Sequence, residues 1–345
     1  MGADVTPLEI DRIAPVREAP AADLAEIIEQ GDEPCVFRGL VADWPVVTEA
    51  KRGPGQLVDY LRGLDKGAVI RAFVGEEGIE GRFFYSDDFT RFNFGVVEAR
   101  FEKLLERLLR LSGREGESIY MGSTPTSEVL PDFSRANSLP IVEGRGGEAR
   151  IWIGNASRIA AHFDESDNVA CVVSGKRRFT LFPPEQVRNL YIGPLDRTPA
   201  GQPTSMVDLA APDWQRFPLF RKALEHARSA DLSPGDAIYI PALWWHSIQA
   251  SGPLNVLVNY WWQDEPADAD SPLHALGHAL LSISHLPQRK RARWRALFDH
   301  YVFKDGGEPA EHIPEASRGI LGPTSPELRQ IIRQYLVRKL MGHSS

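Results

Sequence analysis

The fold is decided by residues 118–263, which contain eight short runs rich in β-branched and aromatic residues. The runs are SIYMGS (118–123), ARIWIGN (149–155), RIAAHFD (158–164), NVACVVSG (168–175), RRFTLFPP (177–184), AIYIP (237–241), WHSIQAS (245–251) and LNVLVNYWW (254–262). Glycine, proline, asparagine or serine residues separate them, which is typical of short strands joined by turns. The stretch therefore predicts a mainly antiparallel β-sandwich or β-barrel.

The regions on either side of this β stretch have different patterns. Residues 1–117 mix β and α signals: short strands are predicted at 34–40, 68–74 and 82–85, and a helix with an apolar face runs from Val97 to Leu111. Residues 266–345 are predicted to be helical, because Ser271 and Ser325 each stand as an N-cap before a proline. The sequence thus predicts an N-terminal α/β extension (1–117), a β core (118–265) and a C-terminal helical region (266–345).

The composition is that of an ordinary globular protein, with 43% hydrophobic and 25% charged residues in a chain of 345. Cys35 and Cys171 are too few for a disulfide framework and too far apart for a zinc motif, so a cytoplasmic protein is expected. The apolar run 169–173 is far shorter than a membrane span, and the first residues lack the pattern of a secretory signal. A net charge of −8 argues against binding to nucleic acid.

Three residues of the β stretch have the chemistry of a metal site. His162 and Asp164 are two positions apart, so on a strand both would face the same side. His246 follows 84 residues later. Two imidazoles and one carboxylate can occupy one face of an octahedral ion and leave three positions open, as in non-haem Fe(II) oxygenases. On residue types alone, the alternative is a chance H-x-D pair with His246 as a hydrogen-bonded core histidine.

The sequence around these residues resembles a known family. The segments that carry the resemblance are HFDESDNVACVVSGKRRFTLFPPEQVRNLY (162–191), PGDAIYIPALWWHSI (234–248) and LNVLVNYWW (254–262). In order, spacing and flanking sequence they are similar to the cupin-like branch of the JmjC family of Fe(II)- and 2-oxoglutarate-dependent oxygenases, and within it to asparaginyl hydroxylases. The segment VFRGLVADWPVV (36–47) is similar to the start of that family's domain. The resemblance implies a double-stranded β-helix (cupin or jelly-roll) core with α-helical additions.

The resemblance also implies roles for individual residues. The positions that match the family's iron ligands are His162, Asp164 and His246. The positions that match polar residues lining the pocket of the cosubstrate 2-oxoglutarate are Tyr120, Asn168 and Asn259. For both asparagines the alternative is a hydrogen-bonded core residue.

Two positions depart from the family's pattern. The family places a lysine fifteen residues after the first histidine, to pair with the distal carboxylate of 2-oxoglutarate, and here this position is Arg177. Strand parity puts Arg177 on the inward face with Phe179 and Leu181, where a guanidinium needs an anion and can grip a carboxylate with two hydrogen bonds. Ile159, three residues before His162, stands where relatives often carry a hydroxyl group. One hydrogen bond to the cosubstrate is therefore expected to be missing.

The predicted function is that of a 2-oxoglutarate-dependent dioxygenase, a hydroxylase of a protein or peptide side chain that uses Fe(II), 2-oxoglutarate and O2. Two alternatives stay open. One is a metal-dependent cupin that acts without 2-oxoglutarate, such as an isomerase or a different dioxygenase, and it would have no need of an inward Arg177. The other is a non-catalytic JmjC-like binding module, against which the intact triad argues.

The C-terminal helices are expected to form a homodimer interface. Apolar residues lie on one side of the helix after Pro272 and of the helix after Pro326, and such faces must be buried on the β core or on a second copy. The resemblance to asparaginyl hydroxylases implies the same pairing through C-terminal helices. The alternative is that both helices pack on their own subunit. The basic run at 289–295 is interpreted as a solvated helix face, and no membrane partner is expected.

Overall fold

The computed structural model describes residues 13–114, 116–263, 266 and 268–342. The chain divides into two compact units, Met1–Gln263 and Asp264–Ser345. In the described residues, every strand lies in the first unit, together with the helices that precede Pro272.

The strands of the first unit form one connected network of twelve. They are β1 (Ala14–Pro15), β2 (Arg17–Glu18), β3 (Cys35–Phe37), β4 (Val69–Gly75), β5 (Phe94–Arg100), β6 (Ser118–Pro125), β7 (Glu148–Gly154), β8 (Ser157–His162), β9 (Asp167–Phe182), β10 (Arg228–Leu232), β11 (Ala237–Ile240) and β12 (Trp245–Trp262). The α-helices of this unit are α1 (Leu24–Gln30), α2 (Pro45–Arg52), α3 (Pro54–Leu64), α4 (Phe101–Leu111), α5 (Thr126–Val129), α6 (Pro140–Glu143) and α7 (Phe220–Glu225).

The two long strands, β9 and β12, organise this network because each takes part in two sheets. They pair antiparallel over both of their halves. The first half of β9 pairs with β11 and its second half with β10, whereas β12 pairs first with β8 and then with β7. The larger sheet therefore has the order β2-β3-β11-β9-β12-β7-β6-β4-β5, and the smaller sheet is β1-β10-β9-β12-β8.

A buried cluster joins the two sheets and makes them a closed jelly roll. Its members include Ala170, Val172, Ile238 and Leu257 from the larger sheet and Phe179, Leu181, Ala230 and Leu232 from the smaller one. Between the halves of β9 lies Gly175, whose φ of +78° suits glycine and where a Cβ would overlap the side-chain oxygen of Asn255. The predicted double-stranded β-helix is confirmed.

Helices cover the outer face of the larger sheet. Leu57 and Leu61 of α3 and Leu105 of α4 are completely buried there, in one cluster with Ile151 of β7 and Val258 of β12. Because that face is sealed by helices, any site inside the jelly roll must open at an end of the barrel.

Two predictions for the N-terminal region are wrong in detail. The helix begins at Phe101 rather than near Val97, because Val97 pairs with Ala72 as part of β5. Apolar residues at this spacing fit either element, and the pairing with β4 decides the outcome. The stretch 82–85 is not a strand; only a single bridge, Tyr85 with Phe92, forms there.

The second unit consists of α8 (Pro272–Ser282), α9 (Gln288–Tyr301) and α10 (Pro326–Leu340). Ser271 and Ser325 cap α8 and α10 by accepting backbone hydrogen bonds, as their positions predict. Among the described residues of this unit, only Pro309 and Ala310 are buried. No described helix combines the length and apolar composition needed to cross a bilayer. Large apolar side chains that remain exposed include Leu280, Leu281, Phe303, Ile331, Leu336, Leu340 and Met341.

Candidate active site

The three predicted metal ligands meet at one end of the smaller sheet. His162 is the last residue of β8 and His246 the second residue of β12, and the two are cross-strand partners whose ring centroids lie 4.4 Å apart. Asp164 lies in the loop after β8 rather than on the strand as its spacing suggested, with its Oδ2 3.6 Å from His246 Nε2. One ligand atom from each residue falls within 4.8 Å of the others.

The hydrogen bonds of both imidazoles leave a nitrogen lone pair for a metal ion. Each Nδ1 lies 3.0 Å from a backbone carbonyl two residues earlier, that of Ala160 for His162 and that of Trp244 for His246. A carbonyl only accepts, so each Nδ1 carries the proton and each Nε2 is free to coordinate. Burial and the neighbouring His162 lower the pKa of His246 to about 4. This set of two imidazoles and a carboxylate suits a divalent ion such as Fe(II).

A residue that the sequence reasoning missed links the two segments that carry the ligands. The backbone N–H of Leu243 donates to the carbonyl oxygen of Asp164 at 2.8 Å. Leu243 has a φ of +65°, which is strained for a leucine, and strain of this kind concentrates at functional sites. Its side chain is 49% exposed. No sequence signal predicts a left-handed leucine.

Arg177 lies inside the jelly roll, in the second half of β9. Its side chain is buried, with 3% exposed, whereas Lys176 is exposed, as strand parity predicts. Within the described chain, its Nε has no hydrogen-bond partner and no carboxylate forms an ion pair with it. Burial lowers the pKa of Arg177, and proximity to Tyr120 is what opposes this shift. A buried guanidinium without an anion is costly.

Tyr120 of β6 links this guanidinium to the metal ligands. Its ring packs between Phe83 and Trp152, with centroid separations of 5.7 and 5.9 Å. Burial raises the pKa of its hydroxyl far above the ordinary value, while Arg177 lowers it and Asp164 raises it. The Tyr120 hydroxyl is thus neutral and lies within electrostatic reach of both ends of the site.

The two predicted asparagines belong to one hydrogen-bonded chain. Trp152 Nε1 donates to Asn259 Oδ1 at 2.7 Å, and Asn259 Nδ2 donates to Asn168 Oδ1 at 3.3 Å. Both asparagines are buried. The sequence analysis did not predict that Trp152 takes part in this chain. The alternation of ARIWIGN does place Trp152 on the face opposite Ile151 and Ile153. The side-chain oxygen of Asn168 accepts from Asn259, so the amide N–H groups of Asn168 remain available to another acceptor.

Ile159 faces the same side as the metal ligands because β8 contains a bulge. His246 pairs with His162 and Ile248 with Ile159, so one extra residue lies on β8 between these pairs. The bulge reverses the alternation, and Ile159 shares the inner face with Ile248. Strand parity alone would have placed it outside.

This fold, with its candidate set of metal ligands, is that of a cupin-type protein. A family model described as "Cupin-like domain" matches residues 21–268 of the chain. The chain belongs to this family, the JmjC-type branch of the 2-oxoglutarate oxygenases, whose enzymes use Fe(II) and 2-oxoglutarate.

Three relatives are similar to parts of the chain. Human HSPB1-associated protein 1 is 34% identical over 157 residues, which are 43% of this chain and 31% of the relative. Lysine-specific demethylase JMJ31 of Arabidopsis thaliana is 26% identical over 278 residues, or 70% of this chain and 48% of the relative. Mouse tRNA wybutosine-synthesizing protein 5 is 31% identical over 242 residues, or 59% of this chain and 72% of the relative. The chain thus spans less than half the length of the first two.

Proposed function

We propose that the protein is an Fe(II)- and 2-oxoglutarate-dependent oxygenase, and that it acts as a hydroxylase. The single observation that carries the proposal is the buried Arg177, which has no anionic partner in the described chain. In a cupin that works without 2-oxoglutarate, the burial of this charge would destabilise the protein and serve no function. The family relationship supports the same reading.

His162, Asp164 and His246 would hold the metal ion, with both imidazoles neutral and oriented by backbone carbonyls. Bound ferrous iron with 2-oxoglutarate and O2 supplies the oxidising chemistry, in which 2-oxoglutarate becomes succinate and carbon dioxide and one oxygen atom enters the substrate. The protein's own task is to orient both reactants and exclude water.

The other pocket residues would bind and orient the cosubstrate. Arg177 pairs with the distal carboxylate through two charge-assisted hydrogen bonds. The neutral Tyr120 hydroxyl donates a further hydrogen bond at the same end, and the amide of Asn168, held by Asn259, donates one from the neighbouring strand. Ile159 contributes only apolar contact, so the cosubstrate loses one possible hydrogen bond.

The test of this function is the conversion of 2-oxoglutarate to succinate. With Fe(II), oxygen and ascorbate, the wild-type chain is expected to form succinate slowly even without a prime substrate. The Asp164→Ala variant is the matched negative control because it removes the carboxylate ligand. If a chain with proven Fe(II) loading forms no succinate, the cupin that acts without 2-oxoglutarate is the better assignment.

We further propose a protein or peptide side chain as the prime substrate. The net charge of −8 opposes a long-range attraction to a polyanion, whereas it allows a neutral or basic peptide to approach. Incubation with a mixture of cell-derived peptides is expected to give products heavier by one oxygen atom that depend on Asp164. Oxidation of an RNA pool in place of peptides would contradict this substrate class.

A further inference from the structure

A cavity on the outer face of the smaller sheet is lined by neither the candidate metal ligands nor Arg177. It has a volume of about 280 Å³ and is lined by β8, β9 and β12 together with residues 207–210. The cross-strand pair of Arg158 with Gln249 lines this cavity, and the adjacent pair of Ile159 with Ile248 also contributes to its wall. Arg158 also lies four residues before His162, about 13 Å along the strand. Arg178 and Thr180 of β9 line the cavity and alternate with the inward-facing Arg177 and Phe179, so the sheet lies between the cavity and Arg177.

Two arginines are brought together at this cavity. The backbone N–H of Arg158 donates to the backbone carbonyl of Gly81 at 2.8 Å, and this bond holds Arg82 beside β8. Gly81 has a φ of +76°, and a Cβ there would lie 2.6 Å from the carbonyl oxygen of Ala156. Only glycine allows this close approach. The guanidinium carbon of Arg82 lies 4.0 Å from the centroid of the Phe84 ring, a cation–π contact that fixes the guanidinium plane.

The carboxylate of Asp208 lies near both guanidiniums, but at long range. Asp208 Oδ2 lies 3.5 Å from Arg82 Nε and 3.7 Å from Arg158 Nη1, and neither distance is that of a good hydrogen bond. Arg158 also donates from Nε to the backbone carbonyl of Glu80 and from Nη2 to its carboxylate, both at 3.4 Å, but the Glu80 side chain is 78% exposed.

The guanidinium of Arg82 has unused donors although it is largely shielded from solvent. Within the described chain, the guanidinium of Arg82 donates no hydrogen bond, and its side chain is only 25% exposed. Burial and the neighbouring Arg158 lower the pKa of Arg82, while Asp208 raises it. The cavity therefore holds excess positive charge and uncommitted N–H groups in a chain that is acidic overall.

We propose that Arg82 and Arg158 bind the phosphate group of a small molecule in this cavity. Two guanidinium forks present paired N–H donors that match the oxygens of a tetrahedral anion. Thr180 and Gln249 add a hydroxyl and an amide to the cavity wall.

The surroundings favour a single phosphate ester over a nucleic acid. A neighbouring cavity of about 830 Å³ shares both arginines with the first and is also lined by Glu76, Asp87 and Asp88. These carboxylates repel the successive phosphates of a polyanion, and their repulsion adds to that of the net charge.

Isothermal titration calorimetry of the full chain tests the site, with inorganic phosphate and ribose 5-phosphate as the probes. We expect one saturable site per chain and an affinity at least tenfold weaker in both Arg82→Gln and Arg158→Gln. The two residues lie on different segments, so a folding defect in one variant leaves the other as a test. Arg110→Gln, on the exposed side of α4, is the matched control and should bind like the wild type.

A further variant separates this site from the proposed cosubstrate pocket. Arg177→Met should keep full phosphate affinity, because Arg177 lies on the inner face of the sheet. Absence of saturable phosphate binding by the wild type, or wild-type affinity in both glutamine variants, would overturn the proposal. Binding of an RNA oligonucleotide without binding of either small phosphate would overturn it as well.

Discussion

Replacement of Arg177 by methionine is expected to have two effects of opposite sign. Methionine keeps much of the volume of the buried side chain and removes a charge that has no partner in the described protein. The distal carboxylate of 2-oxoglutarate would then be buried without a cation, which typically costs about 2–5 kcal/mol. At about 1.4 kcal/mol per tenfold change, the dissociation constant for 2-oxoglutarate should rise about 30-fold or more.

The same substitution should make the ligand-free protein more stable. Replacement of buried charges by apolar groups of similar volume is often stabilising, by about 1–4 kcal/mol. In a domain of this size each kcal/mol corresponds to a melting temperature higher by about 2–4 °C. If Arg177 instead had a purely structural role, its removal would lower the melting temperature.

Two assays on Arg177→Met and a control variant test both expected effects. Calorimetry with the Mn(II)-loaded protein measures 2-oxoglutarate affinity, and thermal denaturation of the metal-free protein measures stability. Lys176→Met is the matched control, because this neighbouring cation is exposed and both quantities should stay unchanged. Unchanged 2-oxoglutarate affinity in Arg177→Met, or a loss of stability, would refute the reasoning.

Three further predictions concern metal, backbone and assembly. Asp164→Ala should abolish stoichiometric Fe(II) binding in equilibrium dialysis, and full occupancy in this variant would remove the site assignment. Gly175→Ala should lower the free energy of unfolding by about 1–2 kcal/mol, from the left-handed backbone alone. The control is Gly277→Ala, in a helix with open space where the Cβ would lie, and it should raise the free energy of unfolding. Chemical denaturation measures both, and equal effects would contradict the role of the Gly175 backbone. We propose that the exposed apolar side of α10 pairs two copies of the chain. In analytical ultracentrifugation Ile331→Glu should give monomers, whereas the control Gln334→Glu should remain a dimer. A monomeric wild type would refute the dimer.

The sequence predicted well those features that depend on local alternation. In β9 the predicted inward residues Arg177, Phe179 and Leu181 are all buried and Lys176 is exposed, although Thr180 and Phe182 of the opposite parity are buried as well. The N-caps at Ser271 and Ser325 are equally local, and the structure confirms the helices that they begin.

The features that escaped prediction depend on contacts between distant segments. The bulge that turns Ile159 inward arises from pairing with β12, almost ninety residues away. The hydrogen-bonded chain from Trp152 through Asn259 to Asn168 exists only when three strands lie side by side. The position of Asp164 beyond the end of β8 likewise follows from the loop that Leu243 secures.

Assembly of the whole site is tested most directly by an anaerobic titration, first with Fe(II) and then with 2-oxoglutarate. The account predicts one equivalent of Fe(II) per chain, followed by a weak visible charge-transfer band that saturates with 2-oxoglutarate. Arg177→Met should keep the iron and need far more 2-oxoglutarate for the same band, and Asp164→Ala should show no band. Stoichiometric iron binding by the wild type without any band at saturating 2-oxoglutarate would contradict the central claim.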